Sequence, residues 1–165
     1  MKLAKSLNRL GTETAFSVLA EAKKLEAAGK PMIHLGLGQP DFKTPKHIVD
    51  AAKKALDDGH HGYVLSNGIL ECRQAVTRKI KKLYNQDVDP ERIIIMPGGK
   101  PTMSYAIQCF GEPGVEIIHP TPAFPIYESM INFTGAKAVP YDLTEDKDLK
   151  FNPEKILSLI TDKTR

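Results

Sequence analysis

Two cysteines in 165 residues, and no tryptophan, set the first limits on this chain. Cys72 and Cys109 each fall in an apolar helical pattern and form no Cys-x-x-Cys pair. They are therefore expected as buried, reduced thiols, without a disulfide framework or a thiolate metal site. Long hydrophobic runs are missing: no window approaches the ~20 apolar residues of a membrane span. The charged start, Met1-Lys2-Leu3-Ala4-Lys5, is followed by no apolar segment of the signal-peptide kind. Charge of one sign hardly accumulates. The net charge of +3 is too small to argue for nucleic acid, and the densest basic run, Arg78-Lys79-Ile80-Lys81-Lys82, reads as the solvated face of an amphipathic helix. His60 and His61, adjacent on a loop with no carboxylate or thiol at ligand spacing, are expected to bind no metal. Asp57-Asp58 reads as a polar helix end rather than a catalytic pair. With 41% hydrophobic and 26% charged residues, a folded, soluble, cytoplasmic protein is expected.

What is present is a change of rhythm. The first half reads as helices: one over 12–28 with Phe16, Val18, Leu19, Ala22 and Leu25 on one face and Gly29 as its stop. A second begins at a Thr44 cap with Pro45 in the first helical position, carries Ile48, Val49, Ala55 and Leu56, and ends at Gly59. A third, about 69–84, turns Leu70, Val76, Ile80 and Leu83 inward. The second half alternates. The apolar, β-branched run Arg92-Ile93-Ile94-Ile95-Met96 predicts a strand buried on both faces. Helices follow from Pro101 to about Phe110 and from Pro125 to about Gly135, with strands at 115–119 and 137–141. Asn152 and Pro153 cap a last helix. This order predicts an α/β class with a mainly parallel sheet flanked by helices in three layers, preceded by a helical N-terminal segment.

The turn Gly98-Gly99-Lys100-Pro101 stands between the apolar run and a helix, a place where α/β folds bind phosphate through backbone N–H groups and the helix dipole. Two familiar phosphate loops do not fit. A Walker loop requires Ser or Thr after its lysine, and here Pro101 follows Lys100 while Ile94 holds the first glycine's place. The GxGxxG spacing of dinucleotide folds is absent. By itself, Gly98-Gly99 reads as a tight turn as readily as a phosphate cup.

Five signals in one order narrow this. They are Leu35-Gly36-Leu37-Gly38-Gln39-Pro40-Asp41-Phe42, Tyr63 ahead of Asn67-Gly68, Gly98-Gly99-Lys100, Pro122-Ala123-Phe124, and the end at Thr164-Arg165. Together they resemble the front part of the class I/II aminotransferases, pyridoxal 5'-phosphate (PLP) enzymes of fold type I related to aspartate aminotransferase. The resemblance implies residues 1–43 as an N-terminal segment of a small domain and 44–165 as the first, incomplete part of the large PLP-binding domain. It implies Gly38 at the substrate carboxylate, and Gly99 and Lys100 offering backbone N–H groups to the cofactor phosphate. Phe124 would stack on the cofactor pyridine. Tyr63 would reach across a homodimer interface to the other subunit's phosphate. Lys100 is not the lysine that bonds the cofactor; the family places that lysine beyond residue 165, so no catalytic residue is assigned in this chain and the chain alone is expected to be inactive. The asparagine, aspartate and arginine that complete the family's site likewise have no counterpart. In that fold the strand at 92–96 lies far from those at 115–119 and 137–141. The implied activity is transfer of an amino group between an amino acid and a 2-oxo acid. A carbon–sulfur lyase of the same fold would use the same residues, and a non-catalytic binding or dimerisation module is the alternative from another class.

Overall fold

The computed structural model describes residues 2–11, 14–36, 38–143 and 150–165. Packing divides the chain into two compact units, residues 1–37 with 98–165, and residues 38–97. The division expected from the sequence, 1–43 against 44–165, concerns a complete two-domain fold and is a different partition.

The first unit holds a two-stranded parallel sheet. Strand β1 (Glu116–Thr121) pairs with β2 (Lys137–Asp142) in a register running from Glu116↔Lys137 to Thr121↔Asp142. These are the expected strands at 115–119 and 137–141. Parallel neighbours need a crossover, and helix α5 (Ile126–Thr134) supplies it, packing on both strands and on α4 (Gly99–Phe110). Ile131 is fully buried, and Val115, Met130, Ala136 and Tyr141 join it, with Ile107 of α4 packed against this core. Gly135, in the left-handed region at φ 89°, ends α5 as the sequence predicts.

The N-terminal segment docks on α5. After a 3-10 turn at Lys5–Arg9, the Arg9 guanidinium donates to the carbonyls of Asn132 and Phe133, both at 2.8 Å. Those oxygens belong to the helix's last turn, at the negative end of the dipole, where the Gly135 N–H also donates to the Asn132 carbonyl at 3.1 Å. The Gly11 N–H donates to Ser129 Oγ at 2.9 Å. Helix α1 (Thr14–Ala27) follows; residues 12 and 13 of the predicted helix, and the inward placement of Phe16, lie outside the described residues and side chains. Helix α6 (Pro153–Ser158) begins as predicted, Asn152 Oδ1 accepting from the Lys155 N–H at 3.1 Å. Buried Tyr141 accepts the Asn152 N–H at 2.6 Å through its hydroxyl and stacks on Phe151.

The second unit is helical. In α2 (Lys46–Asp57) the cap is Pro45 rather than Thr44: the Pro45 carbonyl takes the first helical N–H groups, from Ile48 and Val49, and no side chain caps the turn. A proline fixes its own φ but leaves its carbonyl able to start the ladder. Helix α3 (Leu70–Tyr84) carries the basic run on its exposed side, as expected, with Ile80 half-buried. The expected inward faces are only partly covered. Val49, Ala55, Val76 and Ile80 are half-buried, while Ile48, Leu56, Leu70 and Leu83 are exposed.

Two further expectations are corrected. Residues 92–96 form no strand, and Ile94 is 64% exposed. A strand is defined by a partner's ladder, and no described segment pairs with this one; the Ile95 N–H goes to the Asn67 carbonyl of the preceding turn at 3.1 Å. The cysteines are free, but neither is buried: Cys72 is half-covered and Cys109 exposed. Among the described residues no helix is long and apolar enough to cross a membrane, and no cluster of three metal-ligating side chains occurs.

At the start of β1, Glu116 ties the segment after α6 to the sheet. Lys137 Nζ donates to Oε1 and Thr161 Oγ1 to Oε2, each at 2.8 Å, and Arg165 N–H donates to the Glu116 carbonyl at 3.1 Å. The bond from Lys137, then that from Thr161, hold the pKa of this carboxyl below its ordinary value. A depressed folded-state value means that the tie contributes stability above the unfolded value and loses it as pH falls through the folded one. Hydrogen exchange should show protection at the Arg165 amide falling as pH is lowered below the ordinary glutamate value of about 4.3, and Glu116→Gln should flatten that dependence. A second expectation concerns Tyr141. Tyr141→Phe removes the acceptor of the Asn152 N–H and should lower unfolding free energy by about 1–3 kcal/mol in a urea titration.

Candidate functional site

The chain enters α4 through Pro97 and Gly98. Gly98 is the N-cap, at φ 98° and ψ 165°, a backbone conformation that side chains strongly disfavour. Thr102 closes the turn by donating its hydroxyl to the Gly98 carbonyl at 3.0 Å. Gly99 is the first helical residue and Pro101 the third, so the helix opens with the Gly99 N–H ahead of its hydrogen-bond ladder and with one donor removed by the proline. Gly99 has no positive φ, and a Cβ built on it would meet no atom within 4 Å. Neither backbone strain nor packing within the chain accounts for that second glycine.

The start of α5 stands beside this turn. Phe124 precedes the helix and is 45% exposed, so it is not a core residue. Its ring meets Tyr127 edge to face, centroids 6.3 Å apart and planes at 89°, and the Tyr127 N–H donates to the Phe124 carbonyl at 3.2 Å. Lys100 Nζ lies 5.5 Å from the Phe124 ring centroid, a cation–π distance. The unit thus brings together Gly99, Lys100 and Phe124: a positive helix end, an ammonium group and a half-open aromatic face. All three lie close in sequence to the apolar run or to the carboxyl end of β1, the edge where open α/β sheets take ligands.

Gly38 and Tyr63 belong to the other unit. Gly38 is exposed, and a Cβ there would meet no atom within 4 Å. Tyr63 is wholly exposed on the loop between α2 and α3, at an open cleft bordered by Ala55, His60, Ile69 and Glu71. Leu37, inside the glycine motif, lies outside the described residues. Three features were missed in the sequence. The Lys100 side chain lies over the Phe124 ring. Tyr127 stands one helical turn from Phe124, a spacing that marks a packed pair. Arg73 is a buried cation, and the available signal was its place on the same helical stripe as Val76 and Ile80.

The donor set fits PLP in part. The α4 start suits a dianionic phosphate through backbone donors and dipole, and the Phe124 face suits a flat pyridine ring. The two glycines separate by substitution. Gly98→Ala should cost about 1–2 kcal/mol in urea unfolding because the positive φ is lost to side chains, whereas Gly99→Ala should carry no cost and should hold stability level or raise it by up to about 1 kcal/mol. Equal costs at both positions would contradict the geometry.

Residues 30–165 match the family described as aminotransferase class I and II. The chain is 36% identical over 165 residues to an aspartate aminotransferase of Bacillus subtilis (strain 168), covering all of this chain and 42% of that protein. It is 37% identical over 163 residues to a (5-formylfuran-3-yl)methyl phosphate transaminase of Methanocaldococcus jannaschii, covering 99% of this chain and 42% of that protein. The solved aspartate aminotransferase from Thermus thermophilus with maleate superposes with a TM-score of 0.90 at 30% identity, over 100% of this chain and 43% of the other. The chain therefore spans about two fifths of the length of the relatives it matches. With the family match covering most of its residues and a similar fold in a solved relative at 30% identity, the chain belongs to the class I and II aminotransferases, a PLP-dependent family of fold type I.

Proposed function

We propose that this chain forms the N-terminal part of a PLP-dependent aminotransferase that moves an amino group between an amino acid and a 2-oxo acid. The observation that carries the reading is the Gly98-Gly99 turn opening α4 beside Phe124, with Lys100 over the ring. Bound PLP would supply an electron sink for bonds at the substrate α-carbon. The chain's own residues have simpler tasks. Gly99 and Lys100 offer backbone donors to the phosphate, and the missing Cβ at Gly99 leaves room for that group to approach. Phe124 fixes the plane of the pyridine ring, with Tyr127 bracing it from the edge. Gly38 contributes a backbone contact to the substrate carboxylate, which its lack of a side chain permits. Tyr63 donates its hydroxyl to the phosphate of the second subunit in a homodimer. Residues 1–43 would count with the small domain and 44–165 with the large one, in a cytoplasmic enzyme.

None of these residues bonds the cofactor covalently, so the 165-residue chain with PLP, an amino acid and 2-oxoglutarate should show no turnover above the free-cofactor background. Turnover abolished by Lys100→Ala would make Lys100 the bonding lysine and overturn the assignment. In the parent enzyme, Gly99→Ala should weaken PLP affinity by roughly tenfold or more, the equivalent of ~1.4 kcal/mol, measured by equilibrium titration. An unchanged affinity would remove the α4 start from the phosphate site.

A further inference from the structure

The loop that presents Tyr63 is anchored at both ends, and one anchor is a buried charge. At its start α2 closes on itself: the Gly59 N–H donates to the Leu56 carbonyl at 3.0 Å and the His60 N–H to the Ala55 carbonyl at 2.9 Å. At its far end the Gly68 N–H donates to the Leu65 carbonyl at 2.9 Å. Gly68 sits at φ 95°, and a Cβ there would come within 2.7 Å of the Ile95 side chain. Arg73, one turn into α3, seals this end. Its Nε donates to the Gly68 carbonyl at 3.2 Å, and its Nη1 donates to the Pro90 carbonyl at 3.0 Å and to Glu91 Oε1 at 2.7 Å. The guanidinium side chain is 2% exposed while that of Glu91 is 67% exposed.

Burying a cation costs several kcal/mol before its bonds are counted, and an apolar residue on this stripe would pack α3 at lower cost. The ion pair does not explain the choice either, since its acidic half is in water, where such pairs are worth little. What the guanidinium does that no apolar residue can is bridge two carbonyls on separate segments with a rigid fork. One of those carbonyls belongs to the residue that ends the Tyr63 loop.

We propose that Arg73 is a positioning residue: through the Gly68 carbonyl it fixes the loop that presents Tyr63 to the cofactor phosphate. The proposal rests on the role given to Tyr63 above. A lysine at this position would keep the charge but lose the fork, so Arg73→Lys should loosen the loop without leaving the site uncharged.

The test is a double-mutant cycle on the parent enzyme, read as PLP affinity by equilibrium titration. Arg73→Lys should weaken affinity roughly five- to tenfold in the otherwise unchanged protein, and by less than about twofold in the Tyr63→Phe background. Equal losses in both backgrounds would show a general structural effect and overturn the proposal. Glu91→Gln leaves the two carbonyl bonds in place and should keep affinity within about twofold; a loss as large as that of Arg73→Lys would assign the effect to the ion pair instead. Should Arg73→Lys fail to fold, Ser66→Gly decides the matter. Ser66 is exposed, and the substitution softens the loop without touching the guanidinium. It should weaken affinity only when Tyr63 is present, and no loss, or the same loss with Tyr63→Phe, overturns the proposal. If the unmodified parent does not bind PLP at all, the functional reading itself has failed, an outcome distinct from binding with equal losses.

Discussion

The burial of one face of α5 is the contact on which the candidate cofactor residues depend. Ile131 is fully enclosed by the two strands and α4, an apolar burial worth about 1.5–3 kcal/mol for that side chain alone. Because α5 also makes the crossover between β1 and β2, the same packing fixes the strand register and the point at which the chain leaves β1. Phe124 sits between those two constraints, after the strand and before the helix. Its distance from Lys100 is therefore set by how α4 and α5 pack, several residues away from either. Arg9 and Ser129 reinforce that arrangement from the N-terminal segment, capping the last turn of α5 and holding Gly11 against it. These polar contacts are exposed, each worth about 0.5–1.5 kcal/mol net, so they adjust an arrangement that the apolar face has already determined.

Local signals in the sequence predicted local structure well. Gly29, Gly59 and Gly135 all take the left-handed conformation at or after helix ends, because a terminating glycine acts through its own backbone. Asn152 caps α6 through its own side chain, which accepts an N–H only three residues away. The strands at 115–119 and 137–141 were legible because they are sequential neighbours whose pairing needs only the helix between them. The run at 92–96 was misread because composition reports a need for burial without naming a partner. Its β-branched residues are equally suited to a strand in a larger sheet and to the irregular segment seen here, and Ile95 satisfies its N–H at the Asn67 turn instead. Cys109 shows the same gap on a smaller scale: its helical pattern was real, but which side of α4 would be covered depended on α5.

The candidate site residues divide in the same way. Phe124 and the Gly98-Gly99 turn were visible because each stands at a junction of elements. The cation–π contact was not, since Lys100 and Phe124 are brought together by helix packing that no spacing in the sequence encodes. Arg73 was hidden for another reason. Charge usually marks the outside of a helix, and the basic run five residues further along α3 obeys that rule. An arginine on the inward stripe breaks it, and a break of local consistency at a single position is where a specific task is to be sought.

The two glycines of the turn make the distinction between folding and binding concrete. Gly98 is explained by its own backbone: at φ 98° it lets the chain reverse into α4, and Thr102 then secures its carbonyl. Gly99 is explained by neither conformation nor contact, because its backbone suits any residue and its surroundings would admit a Cβ. Helix propensity argues against it, since glycine costs up to about 1 kcal/mol relative to alanine in a helix. A residue that weakens its own helix and relieves no strain has its justification outside the folding of the chain. Its place supplies one: the first helical N–H of α4, at the positive end of the dipole, next to an ammonium group and an open aromatic face. Close approach of an anion to that backbone requires that nothing project from it, and glycine alone meets that condition.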